Sequence, residues 1–128
     1  MSDSQGPVMG TIGWHDLTVP PEQTEAVRDF YAAVLGWSPE AVPVEDYSDF
    51  NMNDSAGNPT AGVCHAQGAN AGMPAQWILY TIIPDLDASL AACKERGGEL
   101  VVGPKSMGEA RYAVIRDPAG AVMGLYQP

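Results

Sequence analysis

Residues 14–37 read WHDLTVPPEQTEAVRDFYAAVLGW and residues 77–100 read WILYTIIPDLDASLAACKERGGEL. Both stretches open on tryptophan, 63 residues apart (77 − 14), run through β-prone residues to a proline, then take up helical spacing and end near glycine. The offset persists: Leu17 meets Tyr80 at 63 and Gly36 meets Gly98 at 62. Asp54 and Gly57 of NDSAGNP meet Asp117 and Gly120 of RDPAGAV, both at 63. Strand, helix, glycine and turn repeating in one order predict two copies of a single supersecondary unit.

In the first copy, residues 11–19 read as a strand that Pro20-Pro21 ends, because proline cannot donate to a ladder. Val27, Phe30, Tyr31 and Val34 then fall at i, i+3, i+4 and i+7, one apolar stripe, with Glu25, Arg28 and Asp29 outward and Gly36 as the stop. In the second copy Asp85 is placed to cap a helix whose inward residues are Leu86, Leu90 and Cys93, closed by Gly97-Gly98. Three short strands follow each helix, at about 38–44, 49–53 and 60–65 and again at about 99–102, 111–116 and 121–126. Asp117-Pro118-Ala119-Gly120 is a turn signature, so the last strand pairs back on the one before it. The expected fold class is α+β: two tandem βαβββ modules, about 10–66 and about 76–127, joined by a Gly- and Ala-rich linker at 67–75. Their mixed sheet is expected to curl into a cup with the helices outside, and concave faces of this kind take small ligands.

At 128 residues the chain fits one domain, with 45% hydrophobic and 17% charged residues, an ordinary globular composition. Sixteen acidic against six basic side chains give a formal charge of −10, which repels phosphate backbones and anionic membranes. Neither nucleic acid nor a membrane is an expected partner. No apolar run nears the ~18 residues of a span, and MSDSQGPVMG lacks the features of a signal peptide, so a cytoplasmic location is expected. Cys64 and Cys93 are too few for a disulfide framework. No serine stands at a recognisable spacing from histidine, and no glycine-rich phosphate cradle occurs.

The paired modules, FYAAVLGW after the first strand, GG after the second helix and DPAG before the last strand resemble the vicinal oxygen chelate superfamily of glyoxalases, bleomycin-resistance proteins and extradiol dioxygenases. The resemblance covers roughly residues 10–127 and implies a single glyoxalase-like domain, commonly a homodimer. It implies a divalent metal held by His or Glu on the first, fourth, fifth and eighth strands, ligands that suit Zn, Ni, Mn or Fe(II). Carried across, the first-strand ligand is His15, the fifth-strand position is Trp77 or Ile78, the eighth-strand glutamate is Gly124, and the fourth-strand position is Ala61 or Gly62. Three of these four cannot ligate, so the expectation is a degenerate metal site with no cofactor.

What remains is a cup that binds a small, partly aromatic or apolar molecule. His15 is its candidate general base, and Trp77, Tyr80, Gly124, Tyr126 and Met107 are its candidate ligand-binding residues, with Met107 on a flap formed by GPKSMGEARY. Gly124 is expected to open space at the floor. One alternative is a metal-dependent lyase or dioxygenase using His15 and His65; another is a dimeric interaction module with no small-molecule site.

Overall fold

The structure, a computed structural model, describes residues 6–128; Met1–Gln5, the start of the stretch read as lacking a leader, lie outside the described residues. Its elements are β1 (Ile12–Val19), α1 (Thr24–Leu35), β2 (Ser38–Val44), β3 (Tyr47–Asn53), β4 (Pro59–His65), β5 (Trp77–Ile82), α2 (Leu86–Glu95), β6 (Glu99–Met107), β7 (Ala110–Arg116) and β8 (Val122–Gln127). This is βαβββ twice, and the chain divides into two compact units, Trp14–Trp77 and residues 6–13 with Ile78–Pro128.

In the first unit the strands run in the order β2-β3-β4-β1, antiparallel except for the parallel pair β4/β1. The second unit repeats that topology as β6-β7-β8-β5, again with only the last pair parallel. The turns repeat atom for atom. Asp54 Oδ1 accepts from the N–H groups of Ala56 and Asn58, and Asp117 Oδ1 accepts from those of Ala119 and Ala121. Gly57 and Gly120 close these turns at φ 86° and 93°, where a side chain is strained.

The strand register differs from the sequence expectation by one residue. Leu17 pairs with Val63 as Thr81 pairs with Leu125, so Thr81 stands 64 residues after Leu17 and Leu125 stands 62 after Val63. Trp77 is therefore not the counterpart of Trp14; Ile78 is. Because side chains alternate, a one-residue slip moves a residue to the opposite face of its sheet.

In each unit the strands bury one face against that unit's helix. Phe50, Met52 and Val63 pack with Val27 and Tyr31 of α1, together with Trp37 and Trp77. Leu86, Ala113 and Leu125 pack with Ile83, Leu90 of α2 and Ile115. The apolar stripe expected on α1 is only half buried: Phe30 and Val34 are 57% and 59% exposed. A single helix meets a sheet along a narrow line, and Val27 and Tyr31, one turn apart, already fill it. The segment expected to be a flap is a hairpin, since β6 extends to Met107 and only Gly108 and Glu109 turn. Gly103 and Pro104 hid this strand, whose ladder accommodates them by a register shift between Val102 and Lys105. Among the described residues no helix is long and apolar enough to cross a membrane.

Candidate functional site

Strand alternation sorts β1 into two sets, Trp14, Asp16 and Thr18 on one face and His15, Leu17 and Val19 on the other. Leu17 pairs with Val63, a residue of the cluster under α1, so the His15 set lies on the helix side of the first unit and the Asp16 set on the opposite side. His15 is engaged there: its Nδ1 donates to the Thr60 carbonyl at 3.1 Å.

On the face away from α1, Asp16 pairs with Gly62 of β4. A Cβ at position 62 would run into Asp16 Oδ1, so glycine is what lets the carboxylate lie over the neighbouring strand. The Trp14 indole Nε1–H donates to that same oxygen at 2.6 Å. Burial pushes the Asp16 carboxyl from its ordinary 3.8 up to about 6; the Trp14 hydrogen bond opposes the shift, the charge of Asp49 adds to it, and His15 opposes it slightly. Asp49 of β3 accepts from the His65 backbone N–H at 2.8 Å and lies 3.0 Å from His65 Nδ1. The His65 ring sits 4.9 Å from that of Tyr47. Burial, with Asp16 and Asp49 close by, drives the Cys64 thiol far above its ordinary range, so it is a neutral thiol and not a nucleophile. The chemistry gathered here is one carboxyl able to take or release a proton near neutral pH, held beside an indole.

His15 and His65 do not converge. Val19 pairs with His65, and His15 lies four residues earlier on β1, roughly 13 Å at ~3.3 Å per residue. Among the described residues no three His, Cys, Asp or Glu side chains gather as a metal-binding group.

The ligand-binding residues named from sequence fall in three places. Trp77 belongs to the first unit's packed layer, where its Nε1–H donates to the Tyr31 hydroxyl at 3.1 Å and its ring meets Tyr31 and Trp37 edge-on. Tyr80, Gly124 and Tyr126 come together in the second unit, since Tyr80 pairs with Gly124 and Ile82 with Tyr126. The Tyr80 ring occupies the place a Cβ at Gly124 would take, so the space expected at Gly124 is filled by an aromatic side chain. Met107 is exposed at the end of the β6/β7 hairpin. Asp16 and Gly62 were passed over as a pair; the available signal was a carboxylate two residues after a tryptophan inside a strand, hence on the tryptophan's own face.

A groove between α2 and β6 is lined by Leu90, Cys93 and Leu100 with Lys94 and Glu99.

The sequence matches the Glyoxalase/Bleomycin resistance protein/Dioxygenase superfamily over residues 13–124. It is 32% identical over 123 residues to the Mycobacterium tuberculosis protein named "Putative glyoxylase CFP32", covering 92% of this chain and 46% of that one. It is 30% identical over 131 residues to "Anthracycline biosynthesis protein DnrV" of Streptomyces peucetius, covering 92% and 47%. The chain thus spans about half the length of the curated relatives it matches. Among solved structures, a glyoxalase/bleomycin resistance protein/dioxygenase superfamily member from Vibrio splendidus 12B01 aligns with a TM-score of 0.56 at 10% identity, over 90% of this chain and 97% of that one. A methylmalonyl-CoA epimerase of Streptomyces coelicolor aligns at 0.55 and 14%, over 94% and 98%. With the doubled βαβββ fold and the match along nearly its whole length, the chain belongs to the Glyoxalase/Bleomycin resistance protein/Dioxygenase superfamily.

Proposed function

We propose that this chain is a small-molecule-binding member of the superfamily whose metal site is degenerate, and that it holds a partly aromatic or apolar ligand on the Trp14–Asp16–Gly62 face of the first unit. The observation that carries the reading is the Asp16 carboxyl, kept under an indole N–H over a glycine, with its pKa raised to about 6. Burying a carboxyl that is bonded to no cation destabilises a fold, and such expense is found where a ligand is handled. The relatives named for anthracycline biosynthesis fit a flat aromatic ligand.

A metal-dependent lyase or dioxygenase built on His15 and His65 is supported less well, because the two rings lie well apart and each has its Nδ1 engaged. The experiment is native mass spectrometry of the purified chain with parallel elemental analysis. A retained organic molecule without stoichiometric Ni, Zn, Mn or Fe is the expected result; a stoichiometric metal overturns it.

A further inference from the structure

Resting on that reading of the Trp14–Asp16–Gly62 face, we infer that Asp16 anchors its ligand through a protonated amine carried on the ligand's apolar body. Asp16 Oδ1 is taken by the Trp14 indole. Oδ2 has no hydrogen-bond partner among the described residues and, unlike Asn53 Oδ1, is not sealed from solvent. One oxygen is held by the indole, and the other has no partner among the described residues.

The groups that bear on this carboxyl are His15 on its own strand, Asp49 from β3 and Cys64 from β4. Cys64 is a neutral thiol, and Asp49 adds negative charge. His15 stands on the other strand face, held to Thr60. Arg28 of α1 is committed to Asp29 and lies over the Phe50 ring on the helix side. Among these groups none is a fixed cation for Asp16, so the partner its ionised form lacks is positive. A primary or secondary ammonium supplies that charge and an N–H donor for Oδ2, and its positive charge suits the neighbouring indole. An anionic ligand is repelled by Asp49 and by a chain of charge −10.

The test is an NMR titration of the full chain with three probes of one shape, benzylamine, benzyl alcohol and benzoate, followed at the Trp14 indole N–H. Benzylamine should bind about tenfold more tightly than benzyl alcohol, and benzoate should bind worst. Asp16→Asn should abolish the amine preference while benzyl alcohol still binds; if that variant does not fold, the ranking of the three probes on the native chain decides alone. Benzyl alcohol or benzoate binding as well as benzylamine overturns the amine assignment and leaves the binding face standing. No response of the Trp14 indole to any probe overturns both.

Discussion

Gly62 and Gly124 hold equivalent places on β4 and β8, each opposite the residue whose side chain crosses above it, Asp16 in one unit and Tyr80 in the other. The same steric rule has different consequences, because a carboxylate can swing aside and a packed ring cannot. Gly124→Ala puts a methyl group against the buried Tyr80 ring, which must leave its place, so a loss of about 1–3 kcal/mol in urea denaturation is expected. Gly62→Ala should displace the Asp16 carboxylate from the Trp14 indole, seen as a shift of the indole N–H resonance. Asp16 also links stability to pH. Its pKa is raised from 3.8 unfolded to about 6 folded, so the folded chain binds the proton more tightly; the stability this supplies is full below about 3.8 and is lost as pH rises to about 6. Above that, ionised Asp16 destabilises the fold by something on the order of 2 kcal/mol after solvent screening. Asp16→Asn should therefore be more stable than the native chain at neutral pH and lose that advantage in acid, as measured by urea unfolding across a pH series. An unchanged difference at every pH would mean that the carboxyl is not perturbed.

At the scale of elements, legibility followed locality. The Asp54 and Asp117 turns were readable because Asp, Gly and their spacing carry the whole structure: one carboxylate oxygen takes two backbone N–H groups and a glycine takes the positive φ. Nothing lies within 4 Å of a Cβ added at Gly57 or Gly120, so the strain of φ alone sets the effect. Gly57→Ala and Gly120→Ala should each cost about 1 kcal/mol, and by similar amounts, because the turns are copies. One variant silent and the other severe in thermal unfolding would break that equivalence. The Asp85 cap was legible for the same reason and accepts from the Ala88 N–H. The β1 and β5 registers were not, since a strand of eight residues reads equally well one residue along, and pairing with β4 and β8 decides it. It is the β1/β4 pairing, Leu17 with Val63, that puts His15 on the helix side and Asp16 on the other face. The exposed half of α1 was hidden too, because periodicity marks which residues are apolar and not how wide a strip the sheet covers.

For the molecule as a whole, the doubled fold and the family were readable because the repeat spans nearly the whole chain, whereas the site depends on which faces the strands present. A metal is the sharpest test at this scale. A ligand that binds only the folded chain raises its stability by about 2.7 kcal/mol at a hundredfold excess over Kd, which for a chain of this length is roughly 10 °C in melting temperature. The histidines that could begin such a site are held apart, His15 by the Thr60 carbonyl and His65 by Asp49, and Tyr80 fills the place over Gly124. Ni, Zn, Mn and Fe(II) should therefore leave the melting temperature of the metal-free chain within a degree or two, well below the shift a family-type centre would give. Should one of them raise it by roughly 10 °C, with His15→Ala or His65→Ala removing the effect, the degenerate-site reading falls, and the strands carrying those histidines must then rearrange on loading to bring them together.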